Sequence, residues 1–184
     1  MTQDRTGTSA RRAELLEAAY AYVLAHGLTD MSLRPLAAAI GSSPRVLLFL
    51  FGSKDGLIRE LLARARAEEL ALLESFGEPV GLAAAAERLW AWAAEPGHRP
   101  VLRLWTEAYA RSLVEPDGAW SGFAKATVDD WLAVLAACDP DADEAHLTLA
   151  LAVLRGAILD LIATGDEERT GTAVRLHLDR LARM

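Results

Sequence analysis

"MSLRPLAAAIGSSPRVLLFLFGSKDGL", Met31 to Leu57, decides the fold through its punctuation. Ser32 stands where an N-cap would, ahead of "LRPLAAAI", and Pro35 still lies in the first turn, where a missing N–H is tolerated. That predicts a short helix closing at Gly41, whose lack of a Cβ permits a tight turn. Ser43 can cap the next helix with Pro44 in its first position, where φ is already set and no donor is wasted. This second short helix ends near Gly52. Ser53 then caps a long one, predicted from Lys54 to about Phe76.

Working outward, "ARRAELLEAAYAYVLAH" (10–26) repeats apolar residues at helical spacing, and Gly27 just beyond suits a helix end. Downstream, "EPGHRP", "VEPDG" and "CDPDAD" bracket helices near 80–94, 100–113, 119–137, 143–164 and 166–183. Strands find little support, because alternating apolar and polar runs bounded by hairpin dipeptides are missing. The expected fold is all-α with about nine helices. It is organised as an N-terminal three-helix unit over residues 1–53 with a flexible arm, and a C-terminal domain over 54–184. The C-terminal domain would start with a connecting helix at 54–76.

Composition narrows the class. A chain of 184 residues that is 52% hydrophobic can bury a core. No apolar run approaches the roughly 18–20 residues of a membrane span, and "MTQDRTGTSARR" offers no secretory apolar region, so no membrane partner and a cytoplasmic location are expected. The single cysteine, Cys138, cannot form an internal disulfide or a cysteine metal cluster and reads as core filling. The net charge of -7 is uneven: residues 1–60 carry seven Lys or Arg against six Asp or Glu, so the acidic excess lies wholly beyond them. That balance permits an N-terminal contact with a polyanion.

Two short helices joined by "GSS" behind a longer one suit duplex DNA: one helix fixes the angle while the next lays its leading end in the major groove. On residues 12–62 the sequence resembles the TetR (tetracycline-repressor-like) family of bacterial regulators. The resemblance rests on Gly27, Ser32, Ala37, Gly41, Ser43, Leu47, Phe51, Ser53, Lys54, Asp55 and Leu57 at matching spacings. It implies an all-α homodimer with an N-terminal DNA-binding domain and a C-terminal ligand and dimerisation domain. It also implies a palindromic double-stranded operator that is released when a small molecule binds.

Carried over by position, the resemblance places Ser32 and Arg34 against the DNA backbone. Ser42, Ser43, Pro44, Arg45 and Val46 fall in the turn and the leading end of the recognition helix, and Lys54 against a phosphate. Arg45 is the candidate for a direct base contact, since a guanidinium matches the two acceptors of guanine. Arg5, Arg11 and Arg12 would form a basic arm. One stretch departs from the family, which usually has Tyr or His, able to donate to phosphate, at the positions of Leu48, Phe49 and Leu50. Leu47, Leu50 and Phe51 share one helix face and can pack inward; Leu48 and Phe49 do not. They could touch thymine methyl groups, lie as displaced core beneath the fourth helix, or mark a surface that no longer binds DNA well. Displaced core with DNA binding retained is the leading expectation.

All five tryptophans lie beyond residue 85. Individually they read as core. As a group, Trp90, Trp105, Trp120 and Trp131, with Tyr109 and Arg103, suit a ligand pocket between helices. Residues 143–183 read as dimerisation helices, with one stripe of Leu147, Leu151, Leu154, Ile158 and Leu161 and another of Val174, Leu178 and Leu181. Gly156 would permit close helix approach. An enzyme is not expected: the four histidines are scattered, and neither a glycine-rich phosphate loop nor a nucleophile elbow occurs. No metal or cofactor is expected. The reading is a homodimeric repressor released from its operator by a small apolar effector, and the rival is a helical protein-interaction module that lost DNA affinity.

Overall fold

The computed structural model describes residues 2–28, 31–74 and 79–182; the side chains of residues 2–8, 69 and 72–74 lie outside that description, and with them Arg5. Nine α-helices occur among the described residues, with no strand: α1 Thr2–His26, α2 Leu33–Ala39, α3 Pro44–Phe51, α4 Lys54–Glu74, α5 Leu82–Ala94, α6 Arg99–Val114, α7 Phe123–Cys138, α8 Glu144–Thr164 and α9 Glu167–Leu181. The all-α expectation holds, and the interior boundaries fall within a few residues of those expected. The first helix differs, running from Thr2 rather than Ala10 and taking the segment read as an arm into its backbone. The expected end of the fourth helix at Phe76 falls outside the described residues.

The chain forms two compact units, residues 1–67 with 107–124, and residues 68–106 with 125–184. The first therefore takes in the start of α4 and the second half of α6 as well as residues 1–53. Its core is built from Leu15, Ala19 and Val23 of α1, Leu36 and Ala37 of α2, Leu47 and Phe51 of α3, and Leu57, Ile58, Leu61 and Leu62 of α4, all buried. Each of these leucines contributes about 1.5–3 kcal/mol by leaving water. Arg12 is tied into the same unit, 2.6 Å from Glu60 and with its guanidinium 5.2 Å from the Phe51 ring centre. Arg64 bonds Glu17 at 2.8 Å and lies over Tyr20.

Two long-range contacts within the first unit were not legible beforehand. The N–H of Leu28, just past the end of α1, donates to both carboxylate oxygens of Glu107, at 3.0 and 3.2 Å. The N–H of Ala124 donates to the Ser112 hydroxyl at 3.1 Å.

The second unit packs α5, α8 and α9 against one another. The first turn of α5 follows Gly81, which has no side chain to cap it. Asp139, just beyond α7, supplies the acceptor instead, taking the Leu82 N–H at 2.9 Å. Cys138 is buried here as core, and burial raises its thiol pKa. At the α8–α9 corner Arg169 grips Asp160 with two bonds, 2.6 and 2.7 Å, and Asp166 caps α9.

Contrary to the expectation that nothing approaches a membrane span, α8 is long and apolar enough to cross one by length and composition, with a mean hydropathy of 1.9. Arg155 and Asp160 interrupt the apolar run without lowering its average much. One face of α8 forms core in this unit: Leu147, Ala150, Leu151, Leu154 and Leu161 are buried.

Candidate nucleic-acid interface

Helices α2 and α3 are joined by four residues and set at 102° to each other, within the range of helix-turn-helix pairs. The turn is made locally. Gly41 takes φ 62°, a conformation a Cβ would disfavour, and the Ser42 N–H returns to the Ala37 carbonyl at 2.8 Å. Ser43 is extended (φ -131°, ψ 153°) and its hydroxyl accepts from the Val46 N–H at 3.3 Å, with Pro44 opening α3 as expected. Ser32 is extended as an N-cap requires, but its side chain makes no cap hydrogen bond, so Ser32 keeps its hydroxyl exposed instead.

The far end of α3 is fixed as firmly. Gly52 takes φ 77°, and Ser53 accepts from the Gly56 N–H at 2.9 Å. Gly56 lies against the Phe51 carbonyl so closely that a Cβ there would overlap the oxygen. Sequence reading missed Gly56; its signal was a glycine in the first turn of a long helix, where an ordinary helix former would be cheaper.

These constraints leave an outward face on α3. Arg45, Val46, Leu48 and Phe49 are exposed, while Leu47 and Phe51 point inward and Leu50 is half-buried. Val46 is 39% exposed, Leu48 42% and Phe49 79%. The displaced-core expectation for Leu48 and Phe49 is therefore overturned: with α3 held at both ends, its inner face is filled by Leu47 and Phe51, and 48 and 49 fall on the opposite side of the turn.

Ser32, Arg34, Ser43, Arg45 and Lys54 all reach solvent, whereas Ser42 does not present its hydroxyl: the Oγ is buried without a hydrogen-bond partner among the described residues. Among those residues Arg34, Arg45, Lys54 and Arg59 make no ion pair. The expected basic arm is spent differently, with Arg11 bonded to Glu14 at 3.1 Å and Arg12 to Glu60. Free cations among the described residues thus lie on α2, α3 and the start of α4, while Arg11 and Arg12 of α1 are paired; Arg5 lies outside the described side chains.

The residues expected to line a ligand pocket are divided. Trp90, Arg103, Trp105 and Trp131 belong to the second unit, and Tyr109 and Trp120 to the first. Trp90, Trp105, Trp120 and Trp131 are each buried to more than 90%, Tyr109 is half-buried and Arg103 exposed. Trp105 stacks on Trp92 with centroids 5.7 Å apart, and Trp92 stacks on His98 at 4.1 Å. A groove of about 620 Å³ in the second unit is lined instead by residues of the α5 start, Asp139, Asp141, Asp143, His146 and Leu181, and by none of those six.

The expected dimer stripe is largely internal. Leu147, Leu151, Leu154, Leu161, Val174 and Leu178 are buried within this one chain, and Ile158 and Leu181 are half-buried. Among the described residues, the large apolar side chains that α8 and α9 leave exposed are Leu149, Leu159 and Leu176. On α8 they fall in line with Ala145, Thr148, Ala152 and Gly156, all exposed, on the side opposite the core face.

A short helix pair bent by 102° across a four-residue turn, with the outer face of its second helix in solvent, is the helix-turn-helix class of fold. Its particular version here, with the pair at the head of an all-helical chain, is the fold of the TetR-family transcriptional regulators. The multidrug binding protein EbrR in complex with imidazole superposes with a TM-score of 0.71 at 25% identity, over 94% of this chain and 89% of that one. A second EbrR structure, with proflavin, gives 0.65 at 24%, over 93% and 99%. A TetR-family transcriptional regulator from Agrobacterium tumefaciens gives 0.69 at 17% identity, over 95% and 98%. No family model matches the chain, and no curated protein does.

Proposed function

We propose that this chain is a DNA-binding transcription regulator of the cytoplasm, a repressor that grips a palindromic operator as a homodimer and lets go when a small apolar molecule binds. The observation that carries the DNA reading is the outer face of α3, held at both ends by its caps and bearing Arg45, with Arg34 on α2 before it and Lys54 and Arg59 on α4 after it likewise exposed and without an ion pair among the described residues. Arg45 leads that face and is the base-contacting side chain; Ser32, Arg34, Ser43 and Lys54 hold the phosphates. The rival, a protein-interaction module, is disfavoured by those same exposed and uncommitted positive charges on α2, α3 and α4.

The dimer forms through the stripe α8 leaves open. Leu149, Ala152, Gly156 and Leu159, with Leu176 of α9, meet their symmetry copies, and Gly156, with open space around it, lets the helix axes approach closely. The effector reading is supported by buried polar atoms without a partner among the described residues, the Trp105 Nε1 and the Thr127 Oγ1. A bound molecule would complete them. EbrR, similar over nearly the whole chain, is a multidrug binding protein.

Fluorescence anisotropy with duplexes selected from a random pool tests the proposal. Wild-type binding should weaken linearly in log–log terms with salt, and Arg45→Ala should lower affinity by about 1–3 kcal/mol at sites carrying guanine opposite it. Flat, weak binding to every duplex contradicts it.

A further inference from the structure

Three large apolar side chains stand on the outer face of the DNA-reading helix, and hydrogen-bond readout gives them nothing to do. Phe49 is 79% exposed, the most open of the exposed large apolar side chains, and it lies four residues on from Arg45, with Leu48 three on, so all three share one face of the helix. None of Val46, Leu48 and Phe49 carries a side-chain donor or acceptor. At the edges of the base pairs in a major groove, the one apolar feature is the C5-methyl group of thymine. The surroundings select a polyanion as occupant. Arg34 on α2 and Lys54 at the start of α4 are exposed and unpaired among the described residues, while the nearby Asp55 sits in the first turn of α4, where the helix end favours a carboxylate.

We propose that Phe49, assisted by Leu48 and Val46, is the specificity-determining part of this helix and reads thymine methyl groups, so the operator half-site carries thymines beside the base pair met by Arg45. This rests on the DNA-binding reading above. The phosphate donors that tyrosine or histidine would supply at these positions are exchanged for apolar contact, which shifts selectivity from backbone grip to base identity.

Replacing thymine by deoxyuridine removes only the methyl group. Duplexes enriched from a random pool by the purified protein are resynthesised with deoxyuridine at each thymine in turn and bound to wild type and to Phe49→Ala. The expected result is a loss of about four-fold for each contacted methyl in the wild type, and equal binding of the two duplexes by Phe49→Ala. Thermal melting of Phe49→Ala should match wild type, because the side chain packs against little. Tight wild-type binding that ignores the methyl groups overturns the thymine inference and leaves the regulator reading standing. Failure of any duplex to be enriched overturns both, and a changed sedimentation of Phe49→Ala alongside that failure would assign the face to a protein contact instead.

Discussion

Gly56→Ala sets two effects of opposite sign against each other. In an ordinary helix the exchange stabilises by about 1 kcal/mol, because alanine loses less backbone freedom. The backbone at Gly56 presents no obstacle, since its φ is not positive. The obstacle is the Phe51 carbonyl, which the new Cβ would overlap, with the Phe51 carbonyl carbon at 3.3 Å and the Ser53 Oγ at 3.4 Å behind it. A side chain could swing aside; this carbonyl accepts the Ser53 N–H at 2.9 Å and closes the end of α3. Overpacking of this kind costs roughly 1–3 kcal/mol, and more where backbone must move. The net expectation is destabilisation by about 2 kcal/mol, or roughly 4–8 °C in a chain of this size. Urea and thermal unfolding followed by circular dichroism measure it, with Gly97→Ala, which meets nothing within 4 Å, as the control. A Gly56→Ala protein as stable as wild type, or stabilised by the propensity term, would refute the close approach of α4 to α3 and with it the pose of the reading helix.

Glu107→Ala should lower stability by about 1.5–3 kcal/mol, because the Leu28 N–H loses a charged acceptor, while Glu107→Gln, which keeps a carbonyl, should recover much of it in the same denaturation assay. Gly156→Ala should raise monomer stability by about 1 kcal/mol in the open middle of α8 yet weaken self-association measured by sedimentation; unchanged association would remove this stripe from the dimer interface. Burial and Arg180 hold the His177 imidazole below its ordinary pKa of 6.5, and its Nε2 is buried without a partner among the described residues. The unfolded chain therefore takes up this proton first, so stability falls as pH drops below about 6.5 towards the folded value. His177→Gln should flatten that limb of a stability–pH curve.

Helix order, the caps at Ser43 and Ser53, and the inward set of Leu47 and Phe51 were legible because they depend on neighbours within four residues. Whatever depends on distant partners was not. Asp139 capping α5 and Glu107 holding Leu28 are 57 and 79 residues from their partners, with no local pattern to announce them. The dimer stripe shows a subtler failure: apolar periodicity on α8 marks both the face its own chain covers and the face left open, and Leu147 and Leu149 cannot be told apart until the packing of α5 and α9 is known. Likewise Arg12 and Arg45 read alike as free cations until Glu60 arrives beside one of them.

Hydrogen–deuterium exchange of the protein with and without an enriched duplex tests the central claim most directly. The account predicts new protection concentrated over residues 32–54, strongest at the leading end of α3 around Arg45. Protection confined to α8 and α9, or none, would contradict it.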